Sequence, residues 1–385
     1  MKTRILSIIV GLMLMAASAS AIPISKIVGA AVNGPQVLGP GTLGALCTSP
    51  SVCPDMWDVM ASEGEGVFYG DHAVGAALST CLKSIDFGIT FSNCPTNYPV
   101  TTVNRELDVT GNSSILSMRF EGVGFAGCRL DKSTDSGTSW TTINIVTGAN
   151  LSCNPVGTGG GVNGREQLRC VDNVCLAIIN NAASGLDRIY RSNDNGDTWT
   201  LVFTSTAGSY AGIYFDGTYG FASTFDTIFG QAWSTDDGFS WTEQASVSIV
   251  NRICGPGVFA TITGLTEGVV FPCTDAGLTQ FRFNEFTFAA ATSASTRPTL
   301  PATFNATQAN QLAQRSVNRL YAFILSNAAV GSIWYSADGA VTWYDITTGV
   351  IPTITRPYEF RIVNGDLYFT FQSAGGINMA RISGG

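Results

Sequence analysis

The chain has 385 residues, 12% of them charged, with 43 glycines and a formal net charge of −8. An acidic balance of this kind argues against a nucleic-acid partner, because gripping phosphates takes a basic surface. A single histidine, His72, beside ten cysteines offers no cluster for a zinc or other metal centre, and no cofactor is implied.

Taken in chain order, the first element is a secretory signal over residues 1–21. Lys2 and Arg4 precede an apolar run at 5–15, and small residues end in Ala19-Ser20-Ala21. That run is too short to span a bilayer, so no transmembrane anchor is expected and the mature chain is read as secreted, extracellular or periplasmic. All ten cysteines follow the signal, an even number suited to a compartment where disulfides persist. Local pairing predicts Cys47–Cys53, Cys81–Cys94, Cys128–Cys153, Cys170–Cys175 and Cys254–Cys273, although spacing alone does not dictate connectivity. Within an N-terminal unit at 22–56, residues 24–32 read as a strand, and the Gly/Pro-rich stretch 33–54 reads as a surface wrap.

From residue 57 to 385 short runs of Val, Ile, Thr, Phe and Tyr alternate with turn residues, an all-β pattern. One motif returns: Ser-x-Asp-x-Gly-x-Thr-Trp. It is clearest at 133–140, 192–199 and 234–241, with Ser in place of Thr in the first and third, where Asp135, Asp194 and Asp236 stand with Trp140, Trp199 and Trp241. A fourth copy at 336–343 carries Asp338 and Trp343 with its glycine one place early. Weaker copies at 84–91 and 273–280 keep Asp86 and Asp275. The six copies end at residues 91, 140, 199, 241, 280 and 343, a mean spacing of about 50 residues, the length of one four-stranded unit with loops.

These copies resemble the Asp-box (BNR) repeat of sialidases, sortilin-type receptors, some endoglucanases and photosystem assembly factors. The resemblance covers most of the mature chain and implies a β-propeller of four-stranded blades. In it each box forms the hairpin between a blade's third and fourth strands. There the Asp accepts backbone N–H groups across the turn, Gly takes a positive φ, and Trp packs between sheets. These residues are accordingly expected to be scaffold.

Strands are predicted at 165–171, 174–180 and 188–192, then at 210–215 and 219–224, and after the last box at 358–363, 366–372 and 377–382. The terminal three lack a fourth, and 24–32 is the expected donor that closes the ring and covers its edges. This favours seven blades, with six the alternative if the terminal pieces are accessory. Residues 289–311 read as an exposed loop.

The resemblance raises sialidase chemistry, in which three arginines clamp a carboxylate, a Glu-activated Tyr is the nucleophile and an Asp the acid/base. Its first arginine motif should precede the first box, yet no arginine lies between Arg4 and Arg105. Phe360-Arg361-Ile362-Val363 lies at the wrong end and lacks the motif's Pro, so no catalytic residue carries over. Counting back from each unit's first hairpin places Arg105, Arg165 and Arg356 where innermost strands begin, on the face opposite the boxes, with Trp57 or Tyr210 as an aromatic platform. Converging there, the arginines would pair with carboxylate, sulfate or phosphate; alternatively each bonds locally, for example to Glu106. Two readings stay open: a non-catalytic binding module for an acidic glycan or a protein partner, and a divergent sialidase-like glycoside hydrolase.

Overall fold

The computed structural model describes residues 36–38, 61–64, 67–74, 78–85, 92–93, 105–119, 127–147, 151–152, 167–181, 186–206, 210–224, 231–244, 258–261, 267–274, 281–288, 292–294, 299–300, 311–316, 319–325, 331–346, 354–363, 366–373 and 376–382. Among these, the regular elements are all strands, and they pair antiparallel into seven sheets of four or five strands. The first sheet holds Ala61–Gly64, Val67–Val74, Leu78–Ser84 and Ser92–Asn93, and the second Arg105–Val109, Ile115–Arg119, Gly127–Ser133 and Thr141–Thr147. The third runs Leu168–Val171, Val174–Asn181, Leu186–Ser192, Thr200–Thr204, with Leu151–Ser152 added beside its second strand. Tyr210–Phe215, Gly220–Thr224, Gln231–Ser234 and Thr242–Gln244 make the fourth. The predicted strands of these units agree with those found, except that the one predicted from 165 is found from Leu168, residues 165–166 lying outside the described residues.

The fifth sheet holds Val258–Thr261, Glu267–Thr274, Phe281–Thr287 and Thr292–Ala294, and the sixth Gln311–Ser316, Arg319–Leu325, Gly331–Ser336 and Tyr344–Asp345. Two expectations change here. Residues 289–311, expected as plain loop, contribute Thr292–Ala294 and Thr299–Leu300, both paired to Phe281–Thr287. Backbone pairing along a sheet edge does not require an apolar pattern, so composition did not reveal these strands. The copy at 273–280 also falls between its sheet's second and third strands, whereas the others follow a third strand. It carries Cys273 and Gln280 where the complete copies carry Ser and Trp.

In the seventh sheet Ile354–Val363, Asp366–Ser373 and Gly376–Ile382 are joined by Gln36–Leu38, with Gln36 opposite Arg381. The edge partner thus comes from the stretch expected to wrap the surface, while the expected donor at 24–32 lies outside the described residues.

Four Ser-x-Asp turns share one geometry. In the second sheet the Ser133 hydroxyl donates to Asp135 Oδ1 (2.8 Å) and accepts from the Gly137 N–H (2.8 Å). Asp135 then accepts from the Ser139 N–H (2.7 Å) and hydroxyl (2.6 Å), and Trp140 Nε1 donates to the Gly137 carbonyl (3.1 Å). The Asp194 and Asp236 turns repeat every one of these bonds, and Asp338 is held likewise by Ser336 and Thr342. Two successive residues are left-handed in each, such as Asn195 (φ 59°) and Gly196 (φ 85°). A Cβ on Gly196 would stand 2.7 Å from Leu116 of the preceding sheet, so glycine there meets both a backbone and a packing demand. The fourth copy inverts the pair, with Gly339 first and the buried Ala340 at φ 71° second. Its early glycine therefore shifts the strain rather than the turn.

Each tryptophan is half-buried at a seam between sheets: Trp140 beside Leu107, Ile115 and Val67, Trp199 in the core of the second and third sheets, Trp241 in that of the third and fourth, Trp343 in that of the fifth and sixth. The residue just before the motif serine adds a tie that sequence reading missed. Lys83 Nζ donates to the Ser136 carbonyl (3.2 Å), Lys132 Nζ reaches Asp197 Oδ1 (2.8 Å), and Arg191 Nε donates to the Asp237 carbonyl (2.8 Å). Each cation thus grips the turn of the following sheet.

Cys170 and Cys175 face each other across adjacent strands and form the expected disulfide. Cys128 is disulfide-bonded as well. Cys47, Cys53, Cys94, Cys153 and Cys254 lie outside the described residues, so the other expected pairings are not described. Asp86 and Asp275 lie outside them too.

Candidate functional site

In an up-and-down sheet the first-to-second and third-to-fourth connections fall at the same end. The hairpins at 110–114, 172–173 and 216–219 therefore share an end with the Ser-x-Asp turns. Two backbone bonds tie them, from the Asn195 N–H to the Asn173 carbonyl (3.0 Å) and from the Asp237 N–H to the Thr218 carbonyl (2.8 Å). First strands begin at the opposite end. They also meet one another: Arg105–Val109 touches Ala61–Gly64 and Leu168–Val171, and Gln311–Ser316 touches Val258–Thr261 and Ile354–Val363.

The sequence-predicted arginines fit this layout in part. Arg105 is the first residue of its innermost strand, and Arg356 is the third of Ile354–Val363, opposite Gln372. Arg165 and Trp57 lie outside the described residues. Both described arginines thus stand near the start of a first strand, at the end away from the turns.

Tyr210 is corrected. It opens its first strand as expected, but its ring is only 2% exposed, packed among Ile178, Ile189 and Ile213 of the third and fourth sheets, and cannot serve as an open stacking platform. Its N–H donates to the buried Asp187 Oδ2 (2.6 Å), and its hydroxyl donates to Glu243 Oε1 (2.7 Å). Glu243 also accepts from the Ser205 hydroxyl (2.8 Å) and from the N–H of Thr206 (2.8 Å). A tyrosine at a strand start can turn along the sheet face as readily as into an opening, and a carboxylate within reach decides for the former here.

This Tyr–Glu contact has the partners of the nucleophile couple that the sialidase resemblance implies, but the opposite electrostatics. Burial first, and the Glu243 carboxylate next to it, push the phenol well above its ordinary value, so the hydroxyl keeps its proton. Burial also pushes Glu243 up, but bonds from Thr206, Tyr210 and Ser205 outweigh it and hold the carboxylate below its ordinary value. An ionised acceptor beside a fixed phenol donor is a brace within the fourth sheet, tied to the third through Ser205, Thr206 and Asp187, not an activated nucleophile. Asp108 does similar work nearer the turns, accepting from the Cys170 N–H (2.7 Å) across the second and third sheets. Among the described residues, no group of three or more His, Cys, Asp or Glu comes together that could hold a metal ion.

Comparison with solved structures decides the fold. The chain is similar to YCF48 bound to D1 peptide, at 13% identity and a TM-score of 0.53, covering 87% of this chain and 93% of that one. The fold is of the β-propeller class. A GH74 xyloglucanase from Xanthomonas campestris matches at 13% identity and TM-score 0.53, over 86% of this chain and 52% of its own. An ulvan lyase of a polysaccharide lyase family, bound to a GlcA-containing saccharide, matches at 9% identity and TM-score 0.52, over 86% and 94%. No family model matches the chain, and no curated protein does. Among the described residues of this propeller, no helix is long and apolar enough to cross a membrane.

Proposed function

We propose that the chain is a secreted, seven-bladed Asp-box propeller that binds an anionic ligand, an acidic glycan or an acidic protein segment, without catalysis. In this reading residues 1–21 are removed on export, the Ser-x-Asp turns are Asp boxes, and Gln36–Leu38 closes the ring on the last blade. The ligand sits on the face opposite the boxes. The observation that carries the proposal is the position of Arg105 and Arg356 near the starts of first strands at that end. Arginines at the starts of several first strands would offer paired donors to carboxylate or sulfate. The similar folds are consistent with it: one is described with a peptide bound, another with a GlcA-containing saccharide.

Binding without turnover is preferred to hydrolysis because the described Tyr–Glu couple is buried and proton-holding. The test is calorimetric titration of the secreted chain with acidic oligosaccharides and acidic peptides, beside Arg165→Ala and Arg356→Ala. Each substitution is expected to weaken binding about tenfold, the worth of one charge-assisted contact. Unchanged affinity in both overturns the site. Release of reducing ends, or turnover of a fluorogenic sialoside, replaces the binding reading with the hydrolase one.

A further inference from the structure

The seam between the second and third sheets carries a cation toward each end. At the Ser-x-Asp end Lys132 reaches across it to Asp197 (2.8 Å). Toward the other end stands Arg188, opposite Ile179 and two residues before Tyr190, both of which pack with Leu116, Met118 and Leu130 of the second sheet. Strand alternation therefore turns Arg188 into this same seam. It is half-buried, and its Nε is covered without a hydrogen-bond partner. Neighbouring acids serve other groups. Asp187 looks into the opposite seam and accepts from the Tyr210 N–H, Glu243 accepts from Ser205, Thr206 and Tyr210, and Asp108 accepts from the Cys170 N–H. A covered donor without an acceptor is a cost that the fold alone does not recover.

Beside Arg188 lies the outer edge of the third sheet. Thr204 is its direct partner on Thr200–Thr204, a strand that pairs with Leu186–Ser192 alone among the described strands. The outer strands of the first, fourth, fifth, sixth and seventh sheets are two or three residues long. This one has five, Thr-Leu-Val-Phe-Thr, all uncharged and suited to strands, without the lysine or proline that blunts an edge. A bulge at Val202 lets both Val202 and Phe203 pack toward the fourth sheet. Leu201, opposite Tyr190, and Thr204, opposite Arg188, are left exposed on the other face, Leu201 at 45%.

We propose that this edge takes an extended acidic peptide from a partner protein, which adds a strand beyond Thr200–Thr204 and sets a carboxylate on Arg188. The site is separate from the strand-start arginines of the binding reading and goes beyond that reading. An added strand would lie ~10 Å from that of Arg188, two strand spacings, within the joint reach of an arginine and a glutamate side chain. Residues paired across strands share a face, so the peptide residue opposite Thr204 points the way Arg188 does. Main-chain bonds along the edge supply affinity, and the guanidinium selects for acid. A glycan has no ladder of N–H and C=O groups to pair with such an edge, which favours a peptide over an acidic polysaccharide.

The experiment titrates the full secreted chain with a labelled peptide of alternating glutamate and valine. Its controls are the same peptide with lysine for glutamate, a form N-methylated at alternate backbone amides, and polygalacturonate. Arg188→Met is expected to weaken binding of the glutamate peptide about tenfold. It should leave Tm unchanged or raise it, because it removes a covered donor rather than a pair. N-methylation and the exchange to lysine are each expected to abolish binding, and Arg356→Ala to leave it unchanged. Failure of the glutamate peptide to bind, unchanged affinity in Arg188→Met, or equal binding of the N-methylated form overturns the proposal. If Arg356→Ala weakens peptide binding while Arg188→Met does not, the peptide sits at the strand starts, so the binding reading stands and this edge is refuted. Arg188-dependent binding of polygalacturonate but not of the peptide refutes the ligand class.

Discussion

Between the second, third and fourth sheets the turns are joined by ions and hydrogen bonds; between the fourth and fifth the same distance is crossed by rings. In the polar region Lys132 and Arg191 precede a motif serine and reach an acceptor in the next sheet's turn. In the fourth sheet that position is Trp233, which lies 5.0 Å from Phe286 of the fifth. Phe221 stacks against Phe271 at 5.1 Å and Phe286 at 5.3 Å, and Tyr219 against Phe288 at 4.6 Å. The fifth sheet has no Ser-x-Asp motif after its third strand. The lesson is that the residue ahead of the motif is chosen by the neighbouring sheet, not by its own.

The sharpest way to break this contrast is to empty the aromatic seam. Phe286 is fully buried and meets Phe221, Trp233 and Phe288. Phe286→Ala should cost about 3–5 kcal/mol, the usual range for removing a buried ring. Because no charge is involved, the loss should be the same at low and high salt. Chemical denaturation of the variant at both ionic strengths measures it. A cost below about 1 kcal/mol would mean that the seam does not hold the fifth sheet.

Acid addresses the other region. The Ser139 hydroxyl first, then the Ser139 N–H and the Ser133 hydroxyl, hold the Asp135 carboxyl at about 2, against an ordinary value of 3.8. A carboxylate depressed in the folded state stabilises it above the ordinary value, and that contribution is lost as pH falls toward 2. Asp194, Asp236 and Asp338 move the same way: burial pushes each up, and bonds from their turns outweigh it. The Ser-x-Asp turns should therefore loosen between about pH 4 and pH 2 while the aromatic seam does not. Fluorescence of Trp140, Trp199 and Trp241, which lie in those turns, follows the transition. Asp135→Asn should flatten its share of the acid slope, and an unchanged slope would show that the Asp135 turn is held by packing alone.

How much of this was legible beforehand follows from the range over which each signal acts. The turns are local: Ser, Asp, Gly and Trp within eight residues specify their own bonds, and the motif located four of them. Cys170 and Cys175 were legible because a two-residue hairpin, Asp172-Asn173, sets them face to face. Tyr210 was misjudged because its fate depends on Glu243, 33 positions away. The cations at Lys83, Lys132 and Arg191 were visible as a Lys or Arg ahead of three motif serines, but their partners lie one unit further on.

The smallest expected effect tests what an individual tie contributes. The Lys132 side chain is 5% exposed while Asp197, 2.8 Å from its ammonium, is 60% exposed. The two ends of this bridge should therefore answer differently to removal. Lys132→Met keeps a similar stem in the seam and leaves a carboxylate that water already solvates, so it should cost about 1 kcal/mol or less. Asp197→Ala strands a covered ammonium and should cost more, about 2 kcal/mol. Salt at ~1 M shortens the screening length to ~3 Å and should shrink the first difference more than the second, because desolvation of the ammonium is not screened. Equal costs for the two variants would mean that the ammonium is effectively hydrated, and that the tie between the second and third sheets resides in Leu116 packed against Gly196 instead.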